Sequence, residues 1–230
     1  MTHSISQLQA DFDHIAQVEG DGWNHNSHYH DFLLKHVPQP CSNALDIGCG
    51  TGTFARLLAC RAERVLALDL SAKMVQIAKE RSKAFKNIDY LVADVTSCSF
   101  PAQQFNCIVS IATLHHMPLE QILNKIKPAL KVGGTLMVLD LYEPEGMIDF
   151  LTEFIAVPAN LVLTTLKHGR MRSSKEEVEA WAEHGKRDRY PTLQQVRHVC
   201  QKTVPGAEVR RHLFWRYSLI WKKGSTVQEE

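Results

Sequence analysis

A glycine-rich turn is the first feature of this chain whose residue types and spacing could do chemistry. The residues GCGTG at positions 48–52 follow the short apolar segment Ala44–Ile47. Glycine lets the backbone take positive φ and approach a ligand closely. An apolar strand, a glycine turn and a following helix bring backbone N–H groups against a bound molecule. A tight turn alone could need the same glycines, but the pattern predicts a ligand-binding loop made by Gly48, Cys49, Gly50 and Gly52.

Three acids stand at the ends of three successive apolar segments. Asp46 precedes the glycine turn, Asp69 ends the segment VLALD and Asp94 ends the segment LVAD. Open α/β sheets bind ligands at the carboxyl ends of their strands. There Asp69 could accept both hydroxyls of a ribose, and Asp94 could accept a hydrogen bond from an adenine amino group. For Asp94 a simpler role is open, because a carboxylate before a loop is common.

The spacing of the glycines distinguishes two kinds of cofactor. Thr53 makes the pattern G-x-G-x-G, whereas a dinucleotide-binding loop needs G-x-G-x-x-G. Asp46 beside the turn would repel a pyrophosphate, but it suits the positive charge of a sulfonium with an amino-acid tail. The turn therefore favours S-adenosylmethionine (SAM) over NAD.

The elements that must position these residues alternate between short apolar strands and helices. The pattern predicts strands at 44–47, 65–68, 90–93, 107–111 and 135–141, helices at 53–62, 72–83 and 119–130, and a turn at 131–134. Ser71 and Thr192 are expected to be helix N-caps. Continuously apolar strands that alternate with helices predict a parallel sheet covered on both faces. Right-handed crossovers then give a Rossmann-like, doubly wound α/β fold.

The 230 residues are interpreted as one domain with four parts. Residues 1–40 form an N-terminal helical cap, 41–142 the ligand-binding core, and 143–190 a helical insertion after the fifth strand. Residues 191–224 add a final helix and an antiparallel hairpin, which brings the sheet to seven strands. The insertion is either an ordinary packed subdomain or a lid over an acceptor site. The tail 225–230 is expected to fray.

Composition excludes several classes of partner. The formal net charge is +1, so there is no overall basic field for nucleic acid. None of the six cysteines forms a Cys-x-x-Cys pair, which is typical of a reduced, cytoplasmic protein. No apolar run is long enough to span a bilayer. We expect a cytoplasmic monomer or homodimer that acts on a small molecule.

Five segments together make residues 41–142 resemble a class I SAM-dependent methyltransferase of the type 11/12 group: ALDIGCGTG, VLALDLS, LVADV, CIVSIATLHHM and LKVGGTLMVLDLY. The resemblance implies that Asp46 and the glycines hold the methionine end of SAM and that Asp69 binds its ribose. Further residues would surround the adenine or lie under the cofactor: Leu70, Met74, Asp94, Val95 and Ile111. Leu70, Met74 and Val95 could equally be core residues.

Two adjacent histidines, His115 and His116, follow the fourth strand. Methyl transfer from a sulfonium mainly needs alignment of acceptor, methyl and sulfur, but a hydroxyl or amine acceptor must also lose a proton. Histidine titrates near neutral pH, so these two are the candidate general bases. The alternative is that they only shape the pocket.

A second group of histidines lies in the N-terminal part, within WNHNSHYH at positions 23–30. No Cys or acid at ligand spacing accompanies these histidines, so we predict no metal site here. By position, Trp23, His25 and Tyr29 are candidate cofactor or acceptor contacts. Alternatively, Tyr29 belongs to the apolar face of a packed helix and the histidines are solvated.

The preferred function is SAM-dependent O- or N-methylation of a small molecule. A nucleic-acid or protein methyltransferase is the alternative, but the fourth strand ends in SIATLHHM, without the Asn/Asp-Pro-Pro-aromatic element of many such enzymes. A non-catalytic SAM-binding protein and an NAD-dependent oxidoreductase are alternatives of another class.

Overall fold

The computed structural model describes residues 4–18, 25–145 and 174–224. The strands are β1 (Asn43–Ile47), β2 (Arg64–Asp69), β3 (Ile88–Val92), β4 (Phe105–Ile111), β5 (Leu130–Leu141), β6 (Glu208–Arg211) and β7 (Arg216–Lys222). The α-helices are α1 (Ile5–Val18), α2 (His30–Leu34), α3 (Thr53–Ala59), α4 (Ala72–Arg81), α5 (Leu119–Ile126), α6 (Lys175–Gly185) and α7 (Leu193–Thr203). Short 3₁₀ turns cover Ser27–Tyr29, Leu114–His116 and Lys127–Ala129.

The strands form one seven-stranded sheet in the order β3-β2-β1-β4-β5-β7-β6. Strands β1 to β5 pair in parallel, and β7 runs antiparallel to both β5 and β6. The Rossmann-like fold with a terminal antiparallel hairpin is thus confirmed. Strand order reverses between β1 and β4, so the crevice for a ligand lies above the carboxyl end of β1.

Apolar residues cover both faces of the sheet, as the continuous apolar strands predict. On one face, helices α2, α3 and α4 pack through buried residues such as Leu33, Leu58 and Val75. On the other face, α5 and α7 pack through residues such as Leu123 and Val196. The strand ends are therefore held rigidly from above and below, which fixes the positions of the side chains that leave the sheet.

The helix caps expected from the sequence are present. Ser71 accepts a hydrogen bond from the backbone N–H of Met74 at 3.0 Å and begins α4. Thr192 and Gln195 form a reciprocal capping box that begins α7. Such caps satisfy backbone donors that the first helical turn leaves open.

Two predicted boundaries around β5 are wrong. The helix predicted over 119–130 ends at Ile126, and a 3₁₀ turn containing Pro128 follows, because proline cannot continue an α-helix. The predicted turn at 131–134 lies inside β5, where the pairing with β4 shifts register. Gly133 takes φ +78° there, and its N–H bonds the carbonyl of Lys223 at 2.7 Å. An irregular but hydrogen-bonded segment therefore replaces the turn.

The N-terminal part contains two separate helices, α1 and α2, where the sequence suggested helix throughout; residues 19–24 between them lie outside the described residues. Helix α1 packs on both α4 and α6 through an apolar cluster of Ile15, Ala16, Met74 and Ala180. Most of the predicted insertion and the tail also lie outside the described residues. Within the described ranges, no helix is both long and apolar enough to cross a membrane.

Candidate functional site

A cavity of about 360 Å³ opens at the carboxyl ends of β1, β2 and β4. It lies where the strand order reverses, which is the binding crevice of doubly wound sheets. Most of the residues predicted from the sequence line it: Asp46, Gly48, Cys49, Gly50, Asp69, Leu70, Met74, Asp94, Val95, Ile111 and His116. Four predicted residues do not line it: Gly52, His115, His25 and Tyr29.

The glycine turn meets its surroundings differently at each glycine. Gly48 takes φ +71°, and a Cβ there would lie 2.1 Å from Oγ1 of Thr113. Gly52 takes φ +79°, and its Cβ would lie 2.4 Å from the hydroxyl of Tyr90. Gly50 takes φ +52° and would meet nothing within 4 Å. Close packing therefore requires Gly48 and Gly52, whereas Gly50 leaves room for a ligand beside the turn.

The carboxylate of Asp46 is fully buried beneath the turn. Its Oδ2 has no hydrogen-bond partner among the described residues. Burial, together with the nearby charge of Asp69, raises the pKa of Asp46 to about 7. A buried, unsatisfied carboxylate oxygen is costly without a partner. The positively charged end of SAM is a group that would satisfy it, so the site fits this cofactor.

Asp69 connects the end of β2 to the glycine turn. Its carboxylate accepts the backbone N–H groups of Gly50 at 2.8 Å and Ser71 at 2.9 Å. Burial raises the pKa of Asp69, and these two hydrogen bonds partly oppose the increase. A carboxylate can accept about four hydrogen bonds, so capacity for ribose hydroxyls remains.

Asp94 lines the cavity and also organises the loop that follows β3. Its Oδ1 accepts the backbone N–H of Thr96 at 2.8 Å, and the hydroxyl of Thr96 bonds the same carboxylate at 2.7 Å. This is the turn-forming role that the sequence left open.

Cys49 lies in the glycine turn, and burial raises the pKa of its thiol well above its ordinary range.

The two histidines after β4 differ in position. His116 lines the cavity. His115 turns away and its Nδ1 lies 2.6 Å from Oδ1 of Asp140, while its backbone N–H bonds Oδ2 of Asp140 at 2.9 Å. Burial lowers the pKa of His115, but the charge of Asp140 and the hydrogen bond to it outweigh burial, so the pKa is raised overall. Of the predicted bases, only His116 borders the cavity.

Two residues that the sequence interpretation missed meet this pair. Oδ2 of Asp188 lies 3.8 Å from Nε2 of His115, and Oδ1 of Asp188 lies 3.6 Å from Nδ1 of His116. Nε2 of His184 lies 3.5 Å from Oδ2 of Asp188. His184 and Asp188 belong to α6 and the segment after it, far along the chain from His115. No spacing motif links them, and only the packing of α6 brings them together.

The N-terminal histidine segment covers the cavity through other residues than those predicted. His25 stacks on Phe214 with ring centroids 4.6 Å apart, and the hydroxyl of Tyr29 donates to the carbonyl of Leu213 at 3.1 Å. Their neighbours Asn26, Ser27 and His30 line the cavity instead. Burial lowers the pKa of His30 to about 4, which keeps the ring neutral. Trp23 lies outside the described residues.

One side of the cavity is apolar. Helix α1 contributes Ile5, Leu8 and Phe12, the loop before α5 contributes Met117, and α6 contributes Trp181. None of the described residues that line the cavity is Lys or Arg. The cavity therefore has an acidic, glycine-lined end and an apolar end.

Known proteins are similar to this chain in both sequence and fold. A family model described as a methyltransferase domain matches residues 45–138. An uncharacterised methyltransferase of Mycobacterium tuberculosis is 30% identical over 208 residues, covering 87% of this chain and 96% of the relative. A 2-phytyl-1,4-naphtoquinone methyltransferase of Thermosynechococcus vestitus is 33% identical over 156 residues, covering 61% of this chain and 67% of the relative.

Among solved structures, a SAM-dependent methyltransferase from Aquifex aeolicus has a TM-score of 0.58 at 16% identity. The match covers 91% of this chain and 97% of that one. At this identity the likeness concerns the fold, whereas the M. tuberculosis relative extends over nearly the whole of both sequences. The chain belongs to the class I SAM-dependent methyltransferases.

Proposed function

We propose that this methyltransferase transfers the methyl group of SAM to a small acceptor with an apolar body and a nucleophilic oxygen or nitrogen. The observation that carries the proposal is the apolar side of the cavity, where Phe12 and Trp181 border the space next to His116. Ligand pockets of this kind hold small molecules by apolar contact and orient them with a few polar groups.

The two ends of the cavity suit the two substrates. SAM would lie over the glycine turn, with its charged methionine end near Asp46 and its ribose at Asp69. The acceptor would lie against α1 and α6, with its nucleophilic atom beside His116. Direct displacement at the methyl carbon requires this end-to-end arrangement. That either predicted histidine acts as the base stays a prediction; the side-chain positions favour His116 for direct contact.

The relative from T. vestitus supports an apolar acceptor. Its name states that it methylates a naphthoquinone that carries a phytyl chain. An aromatic head with a long hydrocarbon chain is a molecule that an apolar cavity wall would bind. For the present chain we propose the broader class, small apolar acceptors.

The cavity gives less support to a nucleic-acid acceptor. Proteins that bind nucleic acid contact its phosphates with Lys and Arg. None of the described residues lining the cavity is of either type. The formal net charge of +1 adds no attraction over the whole chain.

A transfer assay with labelled SAM tests the proposal. Candidate acceptors are apolar phenols, reduced quinones and amines, with RNA and peptides as the competing classes. We expect label in a small apolar product. Label found only in RNA or peptide would overturn the proposal, as would SAM binding without transfer to any class.

A matched pair of variants on α6 tests where the acceptor binds. Trp181 lines the cavity, while Val178 on the same helix is exposed and does not. Trp181→Ala should raise the acceptor KM by roughly tenfold through lost apolar contact, with SAM affinity unchanged. Val178→Ala should leave both constants unchanged. Equal effects of the two substitutions would contradict an acceptor site at this wall.

A further inference from the structure

We propose that His115, His116 and Asp188 form a binding site for one divalent transition-metal ion beside the acceptor end of the cavity. Each residue offers one ligand atom, and these three atoms all lie within 4.8 Å of one another. The three side chains are each at most 4% exposed. Clustered donor atoms of suitable type and number are the first requirement of a metal site.

The distances suit a single ion. Asp188 oxygens lie 3.8 Å from Nε2 of His115 and 3.6 Å from Nδ1 of His116. Nitrogen and oxygen ligands lie about 2.1 Å from zinc, so neighbouring ligands around a tetrahedral ion are separated by about 3.4 Å. These two separations, which involve different oxygens of Asp188, are a few tenths of an ångström longer, and the two imidazole nitrogens lie within 4.8 Å of each other. Movement of both imidazoles towards Asp188 would complete the coordination.

Asp140 orients His115 for this role. Its Oδ1 lies 2.6 Å from Nδ1 of His115, and its Oδ2 accepts the backbone N–H of the same residue. A carboxylate on one ring nitrogen fixes the tautomer and leaves the other nitrogen to bind metal. The free Nε2 is the atom that faces Asp188. The carboxylate and the histidine of a carboxylate–histidine–metal arrangement are thus already in place at Asp140 and His115.

Asp188 is also held from outside the site. The hydroxyl of Tyr190 donates to its Oδ2 at 2.9 Å, and Nε2 of His184 lies 3.5 Å from the same oxygen. Two buried carboxylates, Asp140 and Asp188, therefore flank the two nitrogens of the His115 ring.

The donor set indicates which ions fit. Magnesium and calcium prefer oxygen ligands alone, whereas two imidazoles and a carboxylate suit zinc, iron, cobalt or manganese. His116 lines the cavity, whereas His115 and Asp188 do not, so the ion would lie behind the cavity wall. It would there hold the His116 ring in position beside the acceptor, a role that rests on the proposed function.

Cobalt titration of the full chain tests the site. After chelator treatment, the protein should bind one Co²⁺ ion per chain. The bound ion should show the visible d–d absorption bands that are typical of cobalt with a low coordination number. Asp188→Asn and His116→Gln should each weaken binding by roughly 10- to 100-fold. His28→Gln, in the N-terminal histidine segment, is the control and should bind Co²⁺ like the unmodified chain. Circular dichroism and SAM titration of every variant establish that each is folded.

The outcomes separate this inference from the proposed function. Absence of stoichiometric Co²⁺ binding in a chain that binds SAM would overturn the metal site and leave the proposed function standing. Co²⁺ affinity unchanged in both variants, or lost in His28→Gln, would also overturn it. Methyl transfer that stops with chelator and returns with Co²⁺ supports a role of the ion in positioning His116, whereas transfer indifferent to the metal refutes that role.

Discussion

At the residue scale, Asp46 is the acid beneath the glycine turn at one end of the cavity. Its carboxyl is fully buried, and its Oδ2 lacks a hydrogen-bond partner among the described residues. Burial and the charge of Asp69 raise its pKa from 3.8 to about 7. The protonated form therefore prevails below about pH 7 in the ligand-free protein. A cationic ligand needs the ionised form, so binding must be coupled to loss of a proton.

This coupling predicts that SAM affinity rises with pH up to about 7 and then levels off. Below that point the slope should approach tenfold per pH unit. Titration calorimetry between about pH 5.5 and pH 8 in buffers of different ionisation enthalpy would measure both affinity and proton release. Asp46→Asn should bind SAM more weakly and with little pH dependence. A flat profile for the unmodified chain would contradict the assignment of Asp46.

The raised pKa of Asp46 also makes the stability of the ligand-free fold depend on pH, and this stability changes with pH in the opposite direction to SAM affinity. A carboxyl whose pKa is higher in the folded than in the unfolded chain stabilises the fold at low pH. The stabilisation by Asp46 is fully present below about pH 4 and is lost as pH rises towards about 7. The ligand-free protein thus loses this contribution in the pH range where SAM binding is gained.

At the element scale, the contact between α1 and α4 joins the two ends of the cavity. The carboxylate of Asp13 on α1 accepts hydrogen bonds from the hydroxyl of Ser71 and from the backbone N–H of Lys73. Ser71 is the N-cap of α4 and donates its own backbone N–H to Asp69. A carboxylate at a helix N-terminus is favourable for the helix dipole. Ser71 therefore links helix α1 to Asp69, the carboxylate proposed to bind ribose.

We expect Asp13→Ala to loosen α1 and to raise the acceptor KM several-fold, because α1 supplies the apolar residues Ile5, Leu8 and Phe12. The lost hydrogen bonds are worth about 1 kcal/mol each. Hydrogen exchange of residues 5–18 should accelerate. Gln17→Ala is the control, since Gln17 is exposed on the same helix and, among the described residues, its side chain bonds only the backbone carbonyl of Asp13 within that helix. Unchanged exchange in Asp13→Ala would show that packing alone holds α1.

The elements of the parallel core could be predicted from the sequence because each leaves a local signature. Apolar runs gave the strands, and the caps at Ser71 and Thr192 gave two helix starts. The irregular start of β5 was missed because its glycines resemble a turn, while its hydrogen bonds come from Lys223, far along the chain. His184 and Asp188 were missed for the same reason. Their proximity to His115 depends on how α6 packs, and local patterns do not encode that.

At the scale of the whole molecule, residues with recognisable sequence motifs and residues without them lie in different parts of the fold. Its parallel half carries the glycine turn and the acids, which the sequence indicated and which match a family model over residues 45–138. The apolar end of the cavity is made largely by α1 and α6, and the segment before α2 also lines the cavity; these parts lie outside that match. Local motifs thus indicate the cofactor, whereas the proposed acceptor site depends on the tertiary packing around them.

Because SAM would contact β1, β2 and the helices packed on them, its binding should stabilise the entire fold. A ligand at 100 times its Kd that binds only the folded state contributes about 2.7 kcal/mol. For a chain of this size that corresponds to a rise in Tm of roughly 5 to 10 °C. S-adenosylhomocysteine should act similarly, whereas NAD should give no shift, since Asp46 lies where a pyrophosphate would be repelled. Differential scanning calorimetry with each ligand makes the comparison. Asp69→Ala should abolish the SAM shift if its carboxylate holds the ribose, and a shift of full size in that variant would refute the assignment.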